Sequence, residues 1–327
     1  MKHPILLIEP TIQPVGVAIL QRSCEVFMAP DDREETLIPL IQAHQIEGVI
    51  TRVEKISRRV IASCPSLRVI EQHGVGMDKI DIAAATEHGV KVLNVPDGNY
   101  TSVAEHIILS VLTLSRNLLL ADQAVRAGNW RYRETNIPHE VAGKNLFLVG
   151  LGIIGKDAAK KALAFQMRVT AFDPYISREE MAALGVEKID TLEDGLREAD
   201  FLSLQVHLTP ETKGLISREH FAQMKKTLCF INISRGAVVD QRALYDALKT
   251  GQIASASLDV FDPEPPEEDE PLFTLPNVIL TPHVAGDTYG AKQRISKTAA
   301  EMMIRALDGE ATYNWQNRAA MEAAGLK

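Results

Sequence analysis

The chain has 327 residues, 46% hydrophobic and 24% charged, with a formal net charge of −8. That length suggests two domains of ordinary size, and the composition excludes a mainly disordered chain. The negative charge speaks against a protein that tracks a nucleic-acid backbone. The most apolar long stretch, Ser102 to Ala121, is interrupted by Glu105, His106 and Arg116, so no membrane span is expected. The run Ile5 to Ile8 is too short for a secretory core and is followed by Glu9 and Pro10. Cys24, Cys64 and Cys229 are odd in number and widely spaced, which predicts no disulfide framework, no metal site and a reducing, cytoplasmic setting.

Short β-rich runs alternate with helical patterns, the signature of parallel sheets built from βαβ units. Strands are predicted at Ile5–Ile8, Glu25–Met28, Gly48–Thr51, Arg68–Gln72 and Lys91–Val95, with helices between them, for instance over 34–43 and 80–88. Pro96-Asp97-Gly98-Asn99 is a turn cluster. Ser102, with Glu105 three residues on, has the pattern of a capping box and would open a long helix reaching about Leu120. A second series follows, with strands predicted at Leu146–Val149, Arg168–Phe172, Phe201–Gln205, Leu228–Ile233, Ile253–Leu258 and Val278–Thr281. Asp262 to Pro271 is read as an acidic proline-rich loop and Thr288 to Leu307 as a last helix before a short tail. The expected layout is a cofactor domain over 99–284, inserted into a domain made of 1–98 and 285–327.

Gly150-Leu-Gly152-Ile153-Ile154-Gly155 has the spacing G-x-G-x-x-G between a predicted strand and a predicted helix. Asp173 follows Gly155 by eighteen residues and ends the next strand, where a carboxylate meets the ribose hydroxyls of NAD. Gly150 to Lys156 also nearly matches a nucleoside-triphosphate loop. Asp157, however, stands where that loop needs a hydroxyl for magnesium, which favours the dinucleotide. Asp173 speaks for NAD over NADP, with Arg178 as the nearest cation.

Ligands of open parallel sheets bind at the carboxyl ends of the strands. Those ends in the second series are Gly150, Asp173, Val206, Arg235, Asp259 and His283. Arg235 is either a turn arginine or a fork for a substrate carboxylate. Asp259 can serve its own turn or face the cofactor. Glu264 lies between two prolines that would aim its side chain, and His283 follows a proline at a strand end, as a positioned base requires. The cofactor set expected is Gly150, Gly152, Ile153, Ile154, Gly155, Asp173, Val206, Ile233 and Asp259.

With these residues in view, the sequence resembles the D-isomer-specific 2-hydroxyacid dehydrogenases, which include phosphoglycerate dehydrogenase and hydroxypyruvate or glyoxylate reductases. The matching segments are His73-Gly-Val-Gly-Met-Asp-Lys-Ile-Asp81, Ser102-Val-Ala-Glu-His106, Gly150–Gly155, Leu208-Thr-Pro-Glu-Thr212, Asn232-Ile-Ser-Arg-Gly236, Leu258-Asp-Val-Phe-Asp-Pro-Glu-Pro265 and Thr281-Pro-His283. The resemblance implies two doubly wound parallel-sheet α/β domains, a Rossmann NAD domain inserted into a flavodoxin-like substrate domain. It implies that Arg235 binds a small 2-hydroxy or 2-oxo acid, that Glu264 orients His283 and that His283 is the acid–base group. Backbone amides of Gly74, Val75 and Gly76 would meet the substrate carboxylate. Hinge motion near residues 98 and 285 and a homodimer, with Leu118 to Tyr132 as its arm, are implied as well.

Two departures bear on the substrate and cofactor. Gln205-Val-His207 stands where relatives often carry His-x-Pro, and Gln72 stands where the phosphoglycerate branch offers an arginine, leaving Arg52 as the candidate partner of a substrate phosphate. Glu264 argues against the formate-oxidising branch, which has glutamine there. A rival reading is an NAD-sensing scaffold like the carboxy-terminal-binding corepressors, which share the fold.

Overall fold

Apolar runs bounded by turn residues fold into two separate parallel sheets in the computed structural model, which describes residues 2–8 and 12–326. Glu9 and Pro10 lie outside the described residues. By internal contacts the chain divides into Met1–Asn99 with Asp287–Lys327, and Tyr100–Gly286. These limits stand one or two residues from 98/99 and 284/285. Asn99 completes the turn before the helix that starts at Tyr100, and Ala285 is hydrogen-bonded into the second unit by Asp259.

The first unit contains β1 (His3–Ile8), β2 (Cys24–Ala29), β3 (Gly48–Thr51), β4 (Val69–Gln72) and β5 (Lys91–Asn94) in the order β2-β1-β3-β4-β5, all parallel. This is the flavodoxin-like doubly wound order. Side chains alternate between two cores, as a strand period of two requires. Leu6, Ile8, Val49, Ile70 and Val92 face one cluster, while Ile5, Leu7, Ile50, Val69 and Leu93 pack with Met303, Ala306 and Leu307 of the Tyr289–Leu307 helix. Each of these fully buried aliphatic side chains contributes about 1.5–3 kcal/mol. The tail is more ordered than its sequence suggests: the Asn317 side chain accepts from Val92 N and donates to Val90 O, Gln316 N donates to Val92 O, and the Arg318–Ala323 helix follows. The tail thereby covers the β5 edge of the sheet.

The second unit contains β6 (Asn145–Val149), β7 (Arg168–Phe172), β8 (Glu187–Lys188), β9 (Phe201–Leu204), β10 (Cys229–Asn232), β11 (Ser255–Leu258) and β12 (Val278–Leu280), in the order β12-β11-β10-β9-β6-β7-β8. The order reverses at β6, the Rossmann arrangement. Phe147, Leu202, Phe230 and Ala256 pack on one face, and Leu146, Leu148, Val169 and Ile231 on the other. Two expectations fail here. Ser102 is the third residue of the Tyr100–Ser115 helix and is buried, so its place in the core outranks a local Ser-x-x-Glu cap. The helix also does not reach Leu120. Asn117 takes a left-handed φ of 47°, which its short polar side chain tolerates, and the Leu118–Arg126 helix leaves at 55°. Among the described residues no single helix is long and apolar enough to cross a membrane, and no group of three or more His, Cys, Asp or Glu side chains is placed to hold a metal ion.

Glu71 is the anomaly in this architecture. It sits in register between Ile50 and Leu93, is 0% exposed, and neither carboxyl oxygen has a partner among the described residues. Burial pushes its carboxyl well above the usual range. A folded-state value raised in this way gives stability that is fully present below the unfolded value and is lost as pH rises through the folded one. Glu71→Gln is therefore expected to raise the melting temperature more at pH 8 than at pH 5, by thermal denaturation at both values. An equal shift at the two pH values would contradict the buried neutral acid.

Candidate active site

β6 runs straight into the glycine loop. Gly150 has φ +95°, and a Cβ there would lie 2.8 Å from the Gln205 carbonyl oxygen; a Cβ on Gly155 would lie 2.6 Å from the Gly150 carbonyl. Both positions therefore require glycine. Around Gly152 nothing lies within 4 Å of the place a Cβ would take, which leaves open the space before the Ile153–Ala164 helix. First-turn amides and the helix dipole favour an anion there, so the pyrophosphate of a dinucleotide fits. Asp173 is held over this loop, its two oxygens accepting from Leu151 N and Tyr175 N at 2.9 Å each. Val206 lies beside the loop, 3.2 Å from the Gly150 Cβ position, and the Ile153 side chain is exposed. Ile154 and Ile233, expected at the cofactor, turn their side chains into the core below, where packing claims an isoleucine more strongly than a polar ligand would.

At the other strand ends of the second unit, Glu264 and His283 meet: Oε1 lies 2.5 Å from Nδ1. Their side chains are 38% and 44% exposed, and Nε2 of His283 has no protein partner among the described residues. Burial would raise the Glu264 carboxyl, but the hydrogen bond and charge of His283 and the charge of Arg235 outweigh it and hold the carboxyl below its usual range. Glu264 is thus ionised at neutral pH. Arg235 ends the turn after β10, with Nη1 donating to Ser234 O. The buried Asn232 shapes that turn, accepting from Ser234 N and Oγ and donating to Arg235 O. Gly236 lets the turn close on the segment leading to Glu264, because a Cβ there would stand 2.0 Å from the Phe261 carbonyl.

Asp259, weighed for the cofactor and for its own turn, serves the turn. It is 1% exposed; Oδ1 accepts from Thr281 Oγ1 at 2.5 Å and Val284 N at 2.9 Å, and Oδ2 accepts from Ala285 N at 2.8 Å. His283 N donates to the Asp259 carbonyl at 2.9 Å. His283 itself has φ 54°, a left-handed conformation that costs a non-glycine residue about 1–3 kcal/mol. Hydrogen bonds to a charged group contribute about 1.5–3 kcal/mol each, so the three on Asp259 outweigh that strain. Sequence reasoning missed Asn232, Gly236 and Thr281 as positioning residues; the Asn-x-Ser turn pattern was the available signal for the first.

In the first unit, Gly74–Gly76 forms the loop after β4. Gly74 O accepts from Val95 N and Val75 O from Asn94 Nδ2, while the Val75 and Gly76 amides face no acceptor among the described residues. Arg52, expected as a partner for a substrate phosphate, instead donates through Nη2 to Asp287. His73 is buried with Nε2 2.8 Å from Ser296 Oγ; burial, then the Arg52 charge, lowers its pKa to about 4, so it is neutral.

The sequence model of the D-isomer specific 2-hydroxyacid dehydrogenase NAD binding domain matches residues 108–285. The chain is 40% identical over 313 residues to a D-3-phosphoglycerate dehydrogenase of Methanocaldococcus jannaschii, an alignment covering 95% of this chain but 59% of that one. The chain thus spans about three-fifths of that relative. It is 37% identical to a glyoxylate reductase of Pyrococcus horikoshii, with 96% of each chain covered. The crystal structure of the TT0316 protein of Thermus thermophilus superposes with a TM-score of 0.86 at 32% identity, covering 95% of this chain and 99% of that one. A glycine loop built for a dinucleotide, a histidine–carboxylate pair at the strand ends, the family model over 108–285 and 37% identity to the glyoxylate reductase across 96% of both chains lead to one conclusion: the chain belongs to the D-isomer specific 2-hydroxyacid dehydrogenase family and carries its NAD-binding domain.

Proposed function

We propose that the chain is an NAD-dependent dehydrogenase that interconverts a small D-2-hydroxyacid, of the glycerate or glycolate kind or its phosphorylated form, and the corresponding 2-oxoacid. The observation that carries this reading is the 2.5 Å contact of His283 Nδ1 with Glu264, which leaves Nε2 for the substrate. When bound, NAD supplies the two-electron oxidation at the substrate's C2, and NADH the reverse. His283 Nε2 takes the hydroxyl proton in oxidation and returns it to the carbonyl oxygen in reduction. Glu264 holds the ring's tautomer and orientation through Nδ1. Arg235 is assigned the substrate carboxylate and the polarisation of the reacting oxygen. On the first unit, the Gly74–Gly76 loop, whose Val75 and Gly76 amides face no acceptor among the described residues, is assigned to receive the substrate. Asp173 supports NAD over NADP, since Arg178 is already bonded to both oxygens of Asp190 at 2.7 Å.

NADH oxidation against hydroxypyruvate, glyoxylate, phosphohydroxypyruvate and bulkier 2-oxoacids tests the proposal. Turnover with at least one small 2-oxoacid is expected, and His283→Ala should lower kcat by at least about a hundredfold. Negligible turnover on the whole panel would favour the NAD-sensing scaffold. Glu264→Gln withdraws the carboxylate that orients the ring, so kcat should fall by about tenfold or more. An unchanged kcat would separate Glu264 from the proton transfer.

We also assign the chain a homodimeric state. The Leu118–Arg126 helix has no buried residue, and Leu118, Leu119, Val125, Trp130 (65% exposed) and Ile137 (75%) leave a run of apolar side chains on the second unit in water. A second copy of this face is the covering partner we propose. Sedimentation of a Leu119→Asp, Trp130→Asp variant should give half the mass of the wild type; a wild-type monomer would overturn the assignment.

A further inference from the structure

The carboxyl ends of β3 and β4 carry a charge cluster that the proposed chemistry leaves unused. The two strands are neighbours, with Thr51 opposite Gln72; His73 N donates to Thr51 O at 2.7 Å, and Gln72 Nε2 donates to Arg52 O at 2.6 Å. In the order β2-β1-β3-β4-β5 the chain direction of winding reverses between β1 and β3, and ligands of such sheets gather beyond the carboxyl ends near that reversal. Arg52, the first residue past β3, therefore stands on the ligand side of the sheet, next to the Gly74–Gly76 loop.

Asp287 meets two cations there. One of its oxygens accepts from Arg52 Nη2, and the other lies 3.1 Å from Lys292 Nζ. All three side chains are partly buried. Burial would raise the Asp287 carboxyl, but the hydrogen bond and charge of Arg52 and those of Lys292 prevail and hold it below the usual carboxylate range. Of the other side chains beside Arg52, His73 is neutral, Gln72 carries no charge, and Glu54 is turned to the backbone, its Oε2 accepting from Arg52 N at 2.7 Å and Val53 N at 3.1 Å. Without Asp287 the cluster would be a doubly cationic pocket suited to a dianion. With it, both cations are already matched, and an incoming phosphate would have to displace a carboxylate and then face its charge.

We infer that Asp287 determines specificity as an internal counter-ion: it occupies Arg52 and Lys292, and so selects 2-oxoacids with a short uncharged side chain against those carrying a phosphate or second carboxylate. The inference rests on the proposal that the Gly74–Gly76 loop receives the substrate, and it sets this chain apart from relatives named for a phosphorylated substrate. The mechanism is selection by repulsion rather than by an added contact.

The test compares hydroxypyruvate with phosphohydroxypyruvate, with NADH, in the wild type and in Asp287→Asn and Asp287→Glu. The wild type should prefer the unphosphorylated acid. Asp287→Asn should raise the phosphorylated-to-unphosphorylated ratio of kcat/KM by about tenfold or more, through KM rather than kcat, while Asp287→Glu keeps the wild-type ratio. A wild type that prefers the phosphorylated acid, or a ratio in Asp287→Asn within about twofold of wild type, would overturn the inference. If the wild type turns over no 2-oxoacid, the dehydrogenase reading fails by itself, and calorimetric titration with inorganic phosphate then decides the counter-ion. Binding about tenfold tighter in Asp287→Asn, and lost again in Arg52→Ala, Asp287→Asn, supports it; equal binding in wild type and Asp287→Asn rejects it.

Discussion

The Asp259 carboxylate, buried at the end of β11, holds the turn on which the candidate chemistry depends. Three donors of the 281–285 turn converge on its two oxygens, and its own carbonyl takes the amide of His283. Without that anchor a histidine at φ 54° would relax toward an unstrained conformation, and the imidazole would turn away from Glu264. A charge that could have faced a ligand is thus committed to backbone geometry, and Glu264 and His283 are left to face solvent together. The division follows from burial. A carboxylate removed from water must be fully hydrogen-bonded, whereas a half-exposed pair can exchange partners with a substrate.

The parallel sheets explain why useful side chains collect where they do. In both units each strand delivers its following loop to the same edge, so residues scattered along the chain become neighbours without any local sequence relation. In the second unit this edge carries the glycine loop, Asp173, the Asn232–Gly236 turn and His283. Close backbone approach at Gly150, Gly155 and Gly236 then brings these loops together, since any side chain at those positions would force them apart. In the first unit the corresponding edge carries the Gly74–Gly76 loop and the cluster of Arg52, Asp287 and Lys292. Buried polar groups of the two units fall into two kinds. Asp259 and Asn317 are bonded to their surroundings, while Glu71, in register between Ile50 and Leu93, has no partner for either oxygen among the described residues and its carboxyl is pushed well above the usual range.

Much of this was legible in the chain itself, for identifiable reasons. Strands such as Gly48–Thr51 and Asn145–Val149 are short, mainly apolar runs, and a strand buried on both faces has that pattern. The glycine spacing at 150–155 and the carboxylate at 173 are local necessities of a dinucleotide loop, so they too were readable. The break at Asn117 was not, because an asparagine in an apolar periodic segment reads as one more polar position. Ser102 misled in the opposite direction: its pattern fits a cap, but a cap must lie outside the helix, and packing drew this serine inside.

The amino-acid sequence by itself determined the βαβ alternation, the dinucleotide loop and the identity of the residues gathered at the strand ends, because each depends on short-range periodicity or on spacing within a single turn. The tertiary structure alone decided which of those residues are committed. It gave Asp259 to the turn and Glu264 to the histidine, and it matched Arg52 with Asp287, a carboxylate more than two hundred positions away. Charge pairing across such distances follows the winding of the sheet, and no local pattern records it.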